Sequence, residues 1–396
     1  MPWVSASAVG TDLDALLDKT LEQAKAALPE GAADVAFVFL ARECAGEADR
    51  VPDRVRKALG AAHVFGCTAG GVIGGGREYE QSPALSILVG RLPGATIHPF
   101  AFEEGALPDP DAAPSAWISL LGAPPAKAPG FVVMADPYSI RADALLAGLD
   151  FSYPGAVKVG GLASGAERPG EQVLFAGDRV ARSGAVGIAL TGDVEVAPAV
   201  AQGCRPIGDP AKVTACEGNL LKQIDGVPAM DAVRDLLRKI PERDRDLART
   251  SLHIGFETDP FAGGPGDDSW LVRNLLGIER QGGGIFVGEA LHLGRRIRFH
   301  VRDRVTSAED LERTLSLAAK GATSSPEAAL LFSCMGRGMR LYGVPDHDSR
   351  AFRDRFGDVP LGGFFCSGEI GPVGGTTHLH GYTSSFGLIR ARAPVR

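Results

Sequence analysis

The feature that most restricts the fold of this chain is a pattern that occurs three times. It consists of an apolar run that ends abruptly in polar residues, a helical stretch, and a glycine-rich apolar segment. The apolar runs are VAFVFLARE (35–43), FVVMADPYS (131–139) and ALLFSCMGRG (329–338). The glycine segments are VFGCTAGG (64–71), KVGGLASG (158–165) and PLGGFFCSGEIGP (360–372). A short apolar run that stops at polar residues is typical of a buried strand that leads into a loop.

The spacing within this pattern is nearly constant. The separations are 30 residues from Ala36 to Gly66, 28 from Val132 to Gly160 and 31 from Leu331 to Gly362. Helical patterns fill the gaps, and another strand pattern follows each glycine segment. A generic strand–helix–strand unit also takes about 30 residues, so the spacing alone leaves that alternative open. We predict a repeat in which the strands at 35–41, 131–135 and 329–334 occupy equivalent places.

These units predict a mixed α/β protein with two related halves. Each half is built from strand-helix-strand-strand units, and helices cover the mixed sheets. AVGIALTG (185–192) is apolar on both faces, which favours sheet-on-sheet packing inside the helices. AQGCRPIGDPA (201–211) has the composition of a linker and separates two glycine segments from the third. We therefore predict two domains, residues 1–202 and residues 203–396.

Composition and charge narrow the classes of function. The net charge of −7 over 396 residues argues against nucleic-acid binding, because affinity for the phosphate backbone comes from clustered Lys and Arg. The first residues lack the pattern of a signal peptide, and no run reaches the roughly eighteen apolar residues that span a bilayer. The six cysteines form no CxxC pair, and so long a chain needs no disulfides to build a core. We expect a cytoplasmic protein with reduced thiols and no membrane partner.

Five motifs follow one another along the chain: GCTAGG and GGLASG lie in the first half, and SCMGRG, VPLGGFFCSGEIGP and HLHGYTSS lie in the second half. Together they resemble the motifs of the FIST domain, a family named after F-box and intracellular signal-transduction proteins. The resemblance covers about residues 33–200 as the N-terminal FIST part and about 203–392 as the C-terminal part. The two predicted domains, 1–202 and 203–396, correspond to these two parts.

The resemblance implies a sensory module of signal transduction that binds a small ligand, an amino acid or a related small carboxylate, without turnover. It also implies a signalling protein as partner, and we separately expect no cofactor. Two alternatives from other classes stay open. In the first, the chain is a thiol-dependent enzyme that uses Cys334 or Cys366. In the second, it is a protein-interaction scaffold whose glycines serve packing only.

The candidate binding residues lie in and beside the glycine segments. Glycine lets backbone N–H groups approach a ligand, and ligands of open α/β sheets bind beyond the strand ends. The residues expected to line the site are Cys67, Thr68, Asp136, Ser139, Ser164, Cys334, Arg337, Gly362, Gly363, Cys366, Ser367 and Glu369. The alternative is that such glycines only permit close packing of helix on sheet. No motif has the form of a nucleotide-binding loop, and the spacing of His378 and His380 is not that of a metal site, so we expect neither ligand.

Arg337 and Glu369 are the residues predicted to recognise charge. Arg337 could bind a carboxylate while Glu369 binds an amine, which is the pattern that an amino acid demands. Alternatively the two residues pair with each other, because a buried charge needs a partner. Asp136 precedes Pro137 and is equally expected to be an Asx-turn residue. A free cysteine is most often a small buried hydrophobe, so we expect at least one of Cys334 and Cys366 to line the pocket without reacting.

Overall fold

The computed structural model describes residues 1–103, 105–109, 111–258, 270–280, 282–322 and 324–392. Helices account for 28% of the chain and strands for 40%, which confirms the predicted class of mixed sheets with helices. Contacts divide the chain into two compact units. The large unit contains residues 1–200, 313–372 and the described part of 376–396, and the small unit contains residues 201–312 and 373–375.

The first two repeats follow one another without interruption. The first repeat consists of β1 (Trp3–Val9), α1 (Leu13–Ala27), β2 (Val35–Ala41), α2 (Val51–Leu59), β3 (His63–Ala69), β4 (Gly71–Gly74), β5 (Arg77–Glu80) and β6 (Ala84–Gly90). The second consists of β7 (Ala95–Phe102), α3 (Pro114–Leu121), β8 (Gly130–Ala135), α4 (Ala142–Ser152), β9 (Lys158–Leu162), β10 (Leu174–Ala176), β11 (Arg179–Ala181) and β12 (Ala185–Gly192). Short 3-10 helices occur at Arg42–Arg50 and Pro125–Lys127.

The third repeat has the same order of strands but contains a long insertion. It begins with β13 (Val194–Ala201). The insertion contains β14 (Arg205–Glu217), β15 (Leu220–Ile224), β16 (Val227–Pro228), α5 (Ala229–Lys239), α6 (Glu242–Ala248), β17 (Leu252–Glu257), β18 (Trp270–Ile278), β19 (Ile285–Val287) and β20 (Arg296–Val301). The repeat continues with α7 (Arg304–Lys320), β21 (Ala328–Cys334), α8 (Gly338–Tyr342), α9 (His347–Phe356), β22 (Leu361–Cys366), β23 (Glu369–Val373), β24 (Thr376–His380) and β25 (Ser384–Ala391).

The three sheets of the large unit share one plan. Within the described residues each has six strands, in the orders β1-β6-β2-β3-β10-β11, β7-β12-β8-β9-β23-β24 and β13-β25-β21-β22-β4-β5. A parallel pair lies at the centre of each sheet: β2 with β3, β8 with β9, or β21 with β22. An antiparallel strand of the same repeat flanks each pair. This arrangement confirms that the three apolar runs occupy equivalent places.

One glycine in each repeat has the same position and conformation. Gly66 is the register partner of Val38, Gly160 that of Val133, and Gly363 that of Leu331. Their φ angles are +156°, +155° and +158°, and a Cβ on each would lie 1.7, 1.8 and 1.9 Å from the carbonyl oxygen of that partner. A side chain there would collide with the neighbouring strand, so the fold requires glycine. In the third repeat the equivalent glycine is Gly363, one residue later than the spacing to Gly362 indicated.

The hairpin that follows each glycine strand joins the sheet of another repeat. Strand β4 of the first repeat pairs with β22 of the third, β23 of the third pairs with β9 of the second, and β10 of the second pairs with β3 of the first. The exchange therefore closes into a ring in which every repeat gives one hairpin and receives one. No single repeat contains all six strands of its own sheet.

A central core lies between the three sheets. Its members include Phe37, Phe39 and Phe65 from the first repeat, Val132, Met134 and Val159 from the second, and Leu330, Phe332 and Phe364 from the third. The ring of Phe364 lies 5.2 Å from that of Phe39 and 5.7 Å from that of Phe332, measured between centroids. Alternate residues of the same strands face the helices, as Val38 does toward α1 and α2 and Val133 toward α3 and α4. The predicted sheet-on-sheet packing inside helix layers is thus present.

The small unit has a sheet and a core of its own. Its strands follow the order β14-β20-β17-β18-β19-β15-β16, and its core includes Ile254, Phe256 and Ile297. The predicted boundary between residues 202 and 203 lies close to the first point at which the chain passes from one unit to the other, after residue 200. The chain returns to the large unit after residue 312. As a statement about separately folding domains, the division into 1–202 and 203–396 stays a prediction. In the described part of the chain no helix combines the length and apolar character needed to cross a membrane.

Candidate functional site

The carboxyl ends of the three parallel pairs place six inward-facing residues in one layer at the end of the central core. This end layer consists of Ala41, Ala69, Asp136, Ala163, Cys334 and Cys366. The partners Ala41 and Ala69, and likewise Cys334 and Cys366, stand opposite each other in their ladders. Asp136 continues strand β8, since its N–H donates to the carbonyl of Gly184 at 2.9 Å. Asp136 and Cys334 therefore occupy equivalent places in the second and third repeats.

All six side chains of the end layer are small. The layer beneath contains Phe39, Met134, Phe332 and Phe364, which fill the centre of the core. The side chains at the carboxyl ends of the strands are therefore smaller than those that fill the centre of the core. These carboxyl ends form the edge at which α/β sheets bind their ligands.

Asp136 is the acidic member of the end layer. Its side chain is 1% exposed. Neither carboxylate oxygen has a hydrogen-bond partner among the described residues. Burying an ionised carboxylate without partners is costly, so such a group in a folded protein calls for an explanation. The predicted Asx turn is absent, because neither side-chain oxygen of Asp136 accepts a hydrogen bond from the part of the chain that the structure describes; its backbone carbonyl instead accepts one from the N–H of Ile140 at 3.3 Å.

The ends of the three glycine strands contact one another beside the end layer. The hydroxyl of Ser164 accepts a hydrogen bond from the N–H of Gly70 at 2.9 Å and donates one to the carbonyl of Phe365. The N–H of Ser367 donates to the carbonyl of Leu162 at 3.0 Å. These contacts link all three repeats, so the glycine segments converge as the sequence predicts. Ser164 is buried at this junction and Ser367 is exposed.

Three cysteines lie at or below this end of the core. Cys67 and Cys366 are fully buried, and burial raises the pKa of both thiols well above the ordinary value. The neighbouring charge of Glu369 raises the pKa of Cys366 further. A thiol held in its protonated form is a poor nucleophile, which disfavours catalysis by Cys366. Cys334 is half-buried, and its sulfur accepts a hydrogen bond from the N–H of Gly336 at 3.4 Å.

Arg337 is fully buried in the turn that follows β21. Its Nε donates to Oδ2 of Asp348 at 2.9 Å, and its Nη2 lies 3.3 Å from Oδ1 of the same residue. The guanidinium also donates to the carbonyl of Tyr382 and the hydroxyl of Tyr342. Burial opposes ionisation of Asp348, but the charge of Arg337 and hydrogen bonds from His347, Arg337 and Ser384 hold the pKa of its carboxyl well below the ordinary value. The structure therefore gives Arg337 a carboxylate partner from within the protein.

Glu369 is fully buried at the start of β23. Its register partner in the second repeat is Gly161. The next residue, Ile370, packs on the helix side of the sheet, so the side chain of Glu369 faces the central side. Its Oε2 accepts a hydrogen bond from the N–H of Thr383 at 3.0 Å. Glu369 thus lies next to the end layer, where its charge acts on Cys366.

The remaining predicted site residues have local roles in the fold. Thr68 is buried and accepts hydrogen bonds from the side chain of Gln172 and the N–H of Val173. The hydroxyl of Ser139 accepts a hydrogen bond from the N–H of Gly184 at 2.7 Å. Gly362 allows close packing, because a Cβ there would lie 2.6 Å from the Cβ of Leu88. The close approach at Gly363 serves the strand pairing described above. For these residues a role in binding stays a prediction.

Two buried acids near Arg337 were missed by the sequence analysis. Asp348 lies in the first turn of α9, where an acidic residue is ordinary and gives no sign of burial. Glu78 lies in β5, and its Oε1 accepts a hydrogen bond from the N–H of Ser349 at 2.7 Å. Burial and then the nearby charge of Asp348 raise the pKa of Glu78 to about 8. A buried arginine requires a counter-charge, and that requirement is the signal that could have pointed to Asp348. The described residues contain no group of three or more His, Cys, Asp or Glu placed to hold a metal ion.

Comparison with known proteins finds two family models and several relatives. A model described as the FIST N domain matches residues 34–227, and one described as the FIST C domain matches residues 229–372. A Mycobacterium tuberculosis protein named "Uncharacterized protein Rv0628c" is 35% identical over 335 residues, which cover 84% of this chain and 85% of that protein. A Mycobacterium bovis protein named "Uncharacterized protein Mb0898c" is 32% identical over 367 residues, which cover 92% of this chain and 93% of that protein.

Proposed function

Because this chain belongs to the FIST family, whose domains are in general sensory domains of signal transduction, we propose that it binds a small ligand at the end layer and senses it without turnover. An amino acid or a related small molecule is the class of ligand that the family resemblance suggests. The observation that carries the proposal is the convergence of three equivalent strand ends on one layer of small side chains that contains a buried acid.

The convergence favours binding over packing alone for a physical reason. Packing explains the glycines that admit a neighbouring strand, such as Gly66, Gly160 and Gly363. It does not explain why a carboxylate stands at the end of the core, where Ala41 occupies the same place in the first repeat. Sites for small molecules combine apolar walls with a few convergent polar groups. The end layer, together with Ser164 and Glu369 beside it, has this composition.

The experiment is a thermal-shift screen of amino acids, small amines and small carboxylates, followed by alkylation in the presence of each stabilising compound. Cys334 is half-buried in the end layer, so a bound ligand should slow its alkylation. Cys216, which is also partly exposed, lies in the small unit and serves as the internal control. We expect at least one compound to raise the melting temperature and to slow only Cys334. If every compound leaves both the melting temperature and Cys334 unchanged, the scaffold alternative is favoured.

A thiol-dependent enzyme is the second candidate function, and one observation supports it. The N–H of Gly336 points at the sulfur of Cys334, and such a donor favours a thiolate. An activated Cys334 would react with iodoacetamide well below pH 8.5, whereas an ordinary thiol would not. The signalling partner that reads ligand occupancy stays a prediction.

A further inference from the structure

The charges around the end layer indicate which chemical group of a ligand it would recognise. A carboxylate ligand needs a cation with donors to spare. Arg337, the cation that the sequence suggested for this role, is already held by Asp348, Tyr342 and the backbone of Tyr382. Its positive charge is thus balanced inside the protein. Among the described residues, Asp136 and Glu369 are the acids that we place at the end of the core.

Of these two acids, Asp136 has the stronger claim to contact a ligand. Both of its oxygens lack hydrogen bonds within the described residues although the side chain is 1% exposed. The same place in the other repeats holds Ala41 and Cys334, so the backbone there does not require an acidic residue. A carboxyl group that the fold does not require, and whose burial costs free energy, is typical of a functional residue.

We infer that the end layer recognises a protonated amine, with the carboxylate of Asp136 as the group that accepts its hydrogen bonds. This inference rests on the proposed function and deepens it, because it names the chemical class of the ligand. An ammonium group offers three donors and a positive charge, which match an acceptor with two unoccupied oxygens. The small apolar side chains of Ala41, Ala69 and Ala163 suit the aliphatic part of a short amine. A carboxylate on the same ligand is allowed but is not what binds it here.

The test uses the full chain and three isosteric sets of probes. The first compares 1,4-diaminobutane with butane-1,4-diol and succinate, and the second compares n-propylamine with 1-propanol and propionate. The third compares an α-amino acid with its hydroxy-acid analogue.

Binding is measured by thermal shift and calorimetry for the wild type, for Asp136→Asn and for Asp136→Ala, with Asp193→Asn as an exposed control. We expect amines alone to bind the wild type and the control. Loss of the carboxylate should weaken binding about tenfold to a hundredfold.

A second readout separates a binding role from a structural one. If Asp136 binds a ligand, the ligand-free Asp136→Asn and Asp136→Ala variants should melt at or above the temperature of the wild type, because a buried carboxyl group without hydrogen bonds is removed. If both variants fail to fold or melt lower, the carboxylate is structural and the inference is wrong. Amine binding that persists unchanged in both variants would overturn it as well.

The inference and the proposed function can fail separately. If carboxylates or neutral probes stabilise the wild type and slow the alkylation of Cys334 while amines do neither, the ligand class is wrong but the sensory site stands. If no probe and no compound of the wider screen has either effect, the proposed function itself is contradicted.

Discussion

Arg337 and Asp348 form an ion pair that is closed off from solvent, with Nε and Oδ2 2.9 Å apart and relative exposures of 0% and 2% for their side chains. The hydroxyl of Ser333 donates to the same carboxylate at 3.2 Å, and the hydroxyl of Ser384 donates to it too. The pair therefore joins the turn after β21, the start of α9 and the start of β25. Breaking such a pair leaves a buried charge without compensation, which makes it a fixed part of the fold.

Replacing Arg337 by methionine should lower the free energy of unfolding by about 3–5 kcal/mol, because Asp348 would stay buried without its counter-charge. The double variant Arg337→Met/Asp348→Asn should lose less than the sum of the two single changes. Urea unfolding checks both. The matched control is Arg238→Met, whose partner Asp235 is exposed and whose loss should cost less than about 1 kcal/mol. Additive single changes would show that the two residues do not act as a pair.

Gly160→Ala should destabilise the large unit by about 3 kcal/mol or more. The new Cβ would lie 1.8 Å from the carbonyl oxygen of Val133, so strands β8 and β9 would have to move apart. Gly66→Ala and Gly363→Ala should behave alike, since both glycines hold the same position. Gly46→Ala is the control, because nothing lies within 4 Å of its Cβ. The melting temperature of each variant checks this prediction. A Gly160→Ala variant that melts at the temperature of the wild type would show that glycine is not required at this position.

Stability should fall as pH rises from about 5 to about 8 because of Glu78. Its pKa is raised from the ordinary 4.5 to about 8 in the folded protein, so the folded state keeps a proton that the unfolded chain releases. The stabilisation is complete below the unfolded pKa and is lost as pH rises through the folded pKa. It amounts to about 1.4 kcal/mol per pH unit within the window. Asp348 titrates below this window because its pKa is lowered from 3.8.

The measurement for Glu78 is urea unfolding at pH 5, 6, 7 and 8 for the wild type and for Glu78→Gln. The variant cannot release this proton. The number of protons released on unfolding, which sets the slope of the free energy of unfolding against pH, should therefore be lower by close to one. Glu22→Gln, an exposed change, should leave the slope of the wild type intact. Equal slopes for the wild type and Glu78→Gln would mean that Glu78 is ionised in the folded protein.

The thiols should react with iodoacetamide in an order set by burial. In the folded protein at pH 8, Cys334 should be modified at least about tenfold faster than Cys67 and Cys366, whose burial excludes reagent and raises the pKa. In urea the three should react at similar rates. Mass spectrometry of peptides distinguishes the sites. Rapid modification of Cys366 in the folded protein would favour the thiol-dependent enzyme instead.

The repeat could be predicted from the sequence because its signals are local. The alternation of apolar runs, helical stretches and glycine segments lies within about 30 residues, and it located the parallel pairs and the glycines Gly66 and Gly160. The convergence of the glycine segments also followed, since strand ends of equivalent units meet at one edge. The candidate residues Asp136, Ser164, Cys334, Cys366 and Glu369 lie at or beside the end layer for that reason.

The partners of these residues could not be predicted, because they come from distant parts of the chain. Nothing near GVIG (71–74) indicates that it pairs with β22, almost 300 residues later. Arg337 pairs with Asp348, which the sequence analysis did not name, and both Asp348 and Glu369 follow it within one repeat. A single sequence offers no ground for preferring one of them, because burial of Asp348 depends on how α9 packs. The structure alone supplies that information.

The ring of exchanged hairpins has a consequence for how the protein is made. A ribosome releases the chain from its N-terminus, yet the sheet around β9 takes its outer strands β23 and β24 from residues that emerge near the end of synthesis. The hairpin of β4 and β5 is synthesised early, but it must wait for its partner strand β22, which emerges long after it. Unpaired strand edges are prone to aggregation while they wait. The nascent chain must therefore keep two incomplete sheets apart from other chains until its last strands arrive, and its final folding step comes after translation is almost complete.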